Sequence, residues 1–179
     1  MTIPELLTAM AILAFVVTGI LVLFVGGLNA TTGMNARFQA QQDARLALSS
    51  LRYEVGFACT LPPPAANQTS VQLLLPDANT QACSGSTNYV AWCADSANLA
   101  QPFGLYRQTG SATPVPCSAG TGVKKAGSLN TNLVFSTTCT TGTRPQLTVS
   151  LPVNANLGTA TRPYTLADTI TARNASICP

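Results

Sequence analysis

The chain changes character twice along its length. From Leu6 to Ala36 there is no charged residue, and residues 6–25 are almost uninterrupted apolar sequence. A helix of about 20 residues spans about 30 Å, the hydrocarbon thickness of a bilayer. The segment reads as a retained membrane-spanning helix rather than a cleaved secretory signal. A signal needs a basic stretch before a shorter apolar core, whereas Met1-Thr2-Ile3-Pro4-Glu5 carries one acid and no base. Pro4 suits a first helical turn, where its missing N–H would have had no partner. Beyond the block the pattern turns amphipathic. Ala44, Leu48, Leu51 and Val55 recur at helical spacing, while Arg37, Asp43, Arg45, Arg52 and Glu54 mark more polar faces. One long helix is expected over residues 1–56, with an apolar half (1–28) and an amphipathic half (29–56).

After Phe57 the spacing shifts from helical to alternating. Leu61-Pro62-Pro63-Pro64 ends any helix and forces an extended connection. Short strand-like runs follow at 71–75, 89–93, 104–107, 132–136, 146–153 and 164–171, separated by loops rich in Ser, Thr, Asn, Gly and Pro. The run Gln146–Val153 alternates cleanly, as a half-buried strand should. The fold class is therefore α+β: a long N-terminal helix packed against a C-terminal antiparallel β head over 57–179.

Composition narrows the chemistry. Charged residues make up 8% of the chain, the net charge is +3, and there is no His. The commonest general base and metal ligand is thus absent. Lys124-Lys125 is the one adjacent basic pair, too little for a nucleic-acid face. Gly120-Thr121-Gly122-Val123-Lys124-Lys125 lacks the spacing of a phosphate loop. Asp77, Asp95 and Asp168 are isolated acids in the head. No catalytic constellation, metal or cofactor is expected.

The 6 cysteines, Cys59, Cys83, Cys93, Cys117, Cys139 and Cys178, all lie in the head. An even count, wide spacing and no CxxC pair point to disulfides, and disulfides to export. If the strands form an up-down meander, chain direction favours Cys59–Cys93, Cys83–Cys117 and Cys139–Cys178. The nearest-neighbour alternative joins Cys59–Cys83 and Cys93–Cys117 and keeps the third pair. Asn29, Asn67 and Asn174 each begin an acceptor triplet for N-linked glycan. O-linked glycans on the Thr-rich loops are an equal alternative.

Glu5 at the lip of a membrane segment is costly without a cation. With Met1 as the N-terminus, its α-ammonium is the nearest candidate, in the same chain or a neighbour; a solvated acid at the membrane surface is the alternative. Met1-Thr2-Ile3-Pro4-Glu5-Leu6-Leu7, followed by the apolar block, resembles the mature N-terminus of bacterial type IV pilins and pseudopilins. The shared pattern is an aromatic residue or Met first, Thr next and Glu fifth. Met1 replaces the usual Phe, and Pro4 the usual aliphatic residue. The resemblance covers about 30 residues. It implies a processed chain, cut from its leader by a dedicated peptidase that also methylates the new N-terminus, with Met1 and Glu5 acting in assembly. It further implies a homopolymeric helical filament built by pilus assembly machinery. The subunit would reside in the cytoplasmic membrane before assembly and in an extracellular pilus after it. Filaments of this family often unwind the middle of the long helix, and Gly19, Gly26 and Gly27 are the candidates for such a break. A mild kink, or close approach of neighbouring helices at these glycines, is the alternative. Two other roles stay open: a minor pilin or type II secretion pseudopilin at a filament tip, and a single-span anchored adhesin that never polymerises.

Overall fold

The computed structural model describes residues 3–96, 102–154 and 164–178, without the side chains of Glu5 and Leu6. Helix α1 runs from Ile3 to Phe57. Strands β1 (Ala65–Gln68), β2 (Ser70–Leu75), β3 (Asn88–Asp95), β4 (Phe103–Gly110), β5 (Val123–Leu129), β6 (Phe135–Thr138), β7 (Gln146–Val153) and β8 (Tyr164–Thr171) follow. The chain divides into two compact units, Met1–Phe38 and Gln39–Pro179, so the second unit begins inside the helix.

The reason lies in which helix positions find partners. Ala40, Ala44, Ala47, Leu48, Leu51 and Val55 are buried and join one core with Leu73, Val90, Trp92, Leu105, Leu129, Phe135, Leu147 and Leu151 from the sheet. The spacing of these helix residues makes one stripe, and the sheet supplies the surface that covers it. The helix ends where that stripe ends. Three groups satisfy its last carbonyls: Ala58 N–H donates to Val55 O at 3.1 Å, Arg173 N–H to Gly56 O at 3.2 Å, and Asn174 Nδ2 to Phe57 O at 3.4 Å. The proline run comes after this termination, so it shapes the connection rather than stopping the helix.

The sheet is antiparallel throughout, ordered β1-β6-β7-β5-β4-β3-β2, with β8 on the other edge of β7. Strands β2 to β5 form a meander, but its fourth strand is β5 and not the expected run at 132–136, part of which lies in β6 beside β7. Strand β7 is then paired along its whole length with β8, from Gln146↔Thr171 to Val153↔Tyr164. Its Leu147, Val149, Leu151 and Val153 point into the core and the residues between them do not, as the alternation predicts. Two strands escape the sequence pattern. Strand β1 is four residues of Ala, Asn and Gln with a bulge, where Asn67 takes φ 54°. Strand β5 reads Val-Lys-Lys-Ala-Gly-Ser-Leu, and only Ala126 and Leu129 are buried.

The cysteines pair as Cys59–Cys83, Cys93–Cys117 and Cys139–Cys178. The third bridge is as expected, but the favoured Cys59–Cys93 and Cys83–Cys117 are overturned in favour of the nearest-neighbour alternative. Two local geometries cause this. Cys59 does not approach β2 at its start. Its N–H donates to Leu74 O at 2.7 Å and Thr60 bridges Leu74, which sets it at the far end of β2, by the β2–β3 loop that carries Cys83. The β4–β5 connection folds back across the sheet, so Cys117 Sγ lies 3.8 Å from both Ala91 O on β3 and Tyr106 O on β4, beside Cys93. Each bridge contributes about 2–4 kcal/mol in a head with long loops.

Candidate functional site

In the first unit the described apolar side chains are not covered by any other described residue. Every residue from Leu7 to Thr32 is exposed, Phe15 at 81% and Leu23 at 78%. The helix is long and apolar enough to cross a membrane. Its few hydroxyls are satisfied within the helix. Thr8, Thr18, Thr31 and Thr32 donate to Pro4 O, Ala14 O, Leu28 O and Asn29 O at 3.2, 2.7, 2.9 and 3.0 Å. A hydroxyl bonded to its own backbone adds little cost in hydrocarbon, where water is missing.

The helix is continuous through Gly19, Gly26 and Gly27 in the subunit. A Cβ placed on any of the three would meet nothing within 4 Å. Packing among the described residues therefore gives no reason for glycine at these positions. Gly27 leaves a shallow notch bordered by Ile20, Leu23, Phe24, Leu28 and Thr31. Met1 lies outside the described residues, as does the Glu5 side chain, whose backbone is in α1.

The second unit holds Glu54 and Asp168 in ion pairs with Arg107 and Arg52. Glu54, expected on a polar face, is instead 8% exposed. Trp92 Nε1 donates to Glu54 Oε2 at 2.6 Å, and Arg107 donates to Oε1 through both Nε and Nη2 at 2.7 Å. One carboxylate thereby ties α1 to β3 and β4, with the charge of a buried acid balanced by an arginine. The sequence signal is faint: Glu54 sits beside Val55 on the buried stripe, but its two partners are 38 and 53 residues away. On the rim of the same helix, Arg52 pairs with Asp168 of β8 at 2.8 Å. Asp168 Oδ1 also accepts the N–H of Thr169 at 3.0 Å, which occupies a donor of an edge strand. Asp95 accepts the N–H of Ala119 at 3.0 Å. Among the described residues no three His, Cys, Asp or Glu side chains cluster as a metal site would require.

The helix face away from the core carries Leu46, Tyr53 and Phe57, exposed at 68%, 69% and 48%, with the two rings 4.9 Å apart. Sequence reasoning passes over this pair, although Tyr53 and Phe57 stand four apart, the spacing at which helical side chains meet. Of the glycan candidates, Asn29 is exposed on α1, Asn67 on β1, and Asn174 is exposed while capping the helix end.

No protein-family model matches the chain, and neither a curated protein nor a solved structure matches it. What the chain does is therefore read from the geometry of each of the two units and from the N-terminal motif.

Proposed function

We propose that the chain is a structural subunit that polymerises through its apolar N-terminal helix into an extracellular filament of the type IV pilus kind. One observation carries the reading. A helix segment apolar on every side is continuous with a helix segment built into a disulfide-bonded sheet domain. The first needs a surrounding apolar medium, and the second holds it to an exported head. A bilayer provides that medium before assembly, and copies of the same helix provide it afterwards. Transfer between the two keeps the apolar surface out of water, at about 25 cal/mol per Å². The glycines at 19, 26 and 27 then serve contacts or a break between copies, since nothing among the described residues calls for them. Glu5 is the acid that the α-ammonium of Met1 neutralises as the helix leaves the headgroup region. The chemistry is assembly, with no catalytic step.

The test is expression of the full chain with a pilus assembly system, shearing of the cell surface, and electron microscopy with mass spectrometry of the sheared fraction. Filaments containing this chain with a methylated N-terminal residue are the expected result. A chain that is recovered only as a membrane-bound monomer would overturn the filament reading and leave an anchored head.

A further inference from the structure

The outward face of α1 separates two unlike flanks of the second unit. On one flank, α1 and β8 border an open groove of about 610 Å³ whose lining includes Ser49, Arg52, Tyr53, Asp168 and Arg173. Arg52 is neutralised there by Asp168. Arg173 is exposed, and no acid among the described residues pairs with it. Its backbone caps the helix end, so its position is fixed while its guanidinium is unengaged by any acid.

On the other flank stands the turn after β2. Asp77 N–H donates to Ala82 O at 3.0 Å and Gln81 N–H to Asp77 O at 2.9 Å. Asp77 Oδ1 accepts from the N–H groups of Asn79 and Thr80 at 2.9 and 3.0 Å and from Thr80 Oγ1 at 3.2 Å. Cys83, two residues past Gln81, is bonded to Cys59 just beyond the helix. Residues 78–81 are exposed. They form a knob whose shape is set before any partner arrives, so little ordering cost remains on binding. The second carboxylate oxygen of Asp77 accepts no hydrogen bond among the described residues. Tyr53 and Phe57 border both flanks, lining the groove and also a hollow of about 240 Å³ beside the Asp77 turn.

We propose that the Asp77 turn of one copy docks into the Arg173 groove of the next copy. The inference rests on the filament reading and names the contact between heads within it. The chain carries both halves of the contact: a rigid knob with an acid at its base, and a groove with an unpaired arginine. A patch on one flank meeting a different patch on the other is a heterologous contact, the kind that repeats along a helical polymer. Opposite charges across it fix the register and reject the reversed pairing. Docking covers the edge of the Tyr53–Phe57 pair, which otherwise faces water.

The experiment compares sheared filament yield for the full-length wild type, Asp77→Asn, Arg173→Glu and the double variant. Asn keeps the Oδ1 acceptor that the turn requires and removes the charge. Arg173→Glu sets two acids against each other and is expected to lower yield at least about tenfold. Asp77→Asn alone should lower it about threefold, the scale of an exposed ion pair. The double variant should return to the Asp77→Asn level, because the introduced carboxylate no longer faces a charge. Wild-type yield from Arg173→Glu, or a double variant no better than Arg173→Glu, would overturn the contact. Where Arg173→Glu also loses the three-disulfide monomer in membrane extracts, Arg173→Lys decides. A carbodiimide condenses an amine with a carboxylate, losing water. Isotope-mixed filaments of Arg173→Lys should therefore yield an intermolecular amide between the introduced amine and the carboxylate of Asp77. Its absence while other carboxylates and amines cross-link would overturn the contact. Filaments at equal yield in all four forms remove this inference alone. No filaments from the wild type remove the filament reading and this inference with it.

Discussion

Residues 7–32 and residues 40–55 belong to one helix, and both are rich in apolar side chains, yet their fates differ completely. In the second stretch Ala44, Leu51 and Val55 are fully buried against the sheet. In the first, Phe15, Ile20, Leu23 and Phe24 are all exposed. The difference is angular. Apolar positions confined to one face need one covering surface, which a single sheet supplies. Apolar positions on all faces need a surrounding medium, which only a bilayer or a bundle of helices supplies. The lesson is that one helix carries two instructions, and that the change between them comes near Phe38, where the compact second unit begins.

The sharpest way to break the comparison is to disturb the second stretch alone. Glu54→Ala leaves Arg107 at the helix–sheet boundary without its acid and Trp92 Nε1 without its acceptor. Losing one partner of a buried pair costs about 3–5 kcal/mol. Thermal unfolding of the full chain in detergent should show a large fall in the head's Tm, while membrane retention by fractionation stays at wild-type level. Equal Tm values for Glu54→Ala and wild type would show that the network does not hold the helix to the sheet.

The complementary variant places a charge in the first stretch. Ile20→Arg adds about 2.5–3.5 kcal/mol at the centre of a membrane helix. Fractionation should show reduced membrane retention, and the head should melt at the wild-type temperature with its three disulfides formed. A lowered head Tm would mean that the two stretches are coupled more tightly than their separate partners indicate.

The glycines sharpen the comparison further. A Cβ at Gly26 or Gly27 meets nothing in the subunit, so each change to Ala should favour helix by about 1 kcal/mol. Amide hydrogen exchange of the detergent-solubilised double variant should slow across residues 19–33. Under the filament reading the same variant should assemble poorly, because a stiffer helix resists a break or Ala blocks close approach. Normal filaments from a chain with slowed exchange would remove any functional role for these glycines.

What could be seen beforehand follows the same division. The helix, the buried stripe and β7 are legible because each rests on local periodicity, and Gln146–Val153 alternates in burial as it does in sequence. Strand β5 is not, since Lys124, Lys125 and Gly127 carry no strand pattern and the strand forms through pairing with β4. The disulfide pairing fails for a related reason. It depends on where Cys59 enters beside Leu74 and on the β4–β5 connection folding back over the sheet, and neither path has a local signature. The Glu54–Trp92–Arg107 network likewise joins residues far apart in sequence. At the N-terminus, the assembly role proposed for Glu5 rests on the sequence motif alone, while the exposure of the apolar side chains from Leu7 onward is read from the fold.

The smallest expected effect concerns acid. The backbone N–H groups of Thr80 and Asn79, and the Thr80 hydroxyl, hold the Asp77 carboxyl below its ordinary value of 3.8. These donors favour the ionised form. A carboxyl lowered in the folded state contributes stability above its unfolded pKa, and loses it as pH falls through the folded value. The contribution is therefore intact at neutral pH and disappears only in strongly acidic solution. In Asp77→Asn the Oδ1 acceptor remains and the titration is gone. Head Tm measured at neutral pH and again well below pH 3.8 should fall slightly more for wild type than for Asp77→Asn. The turn lies on the surface, so the difference should be the smallest of the series. A fall of the same size in both would show that the turn is held by its backbone bonds and the Cys59–Cys83 bridge, with the charge of Asp77 left to contacts outside the chain.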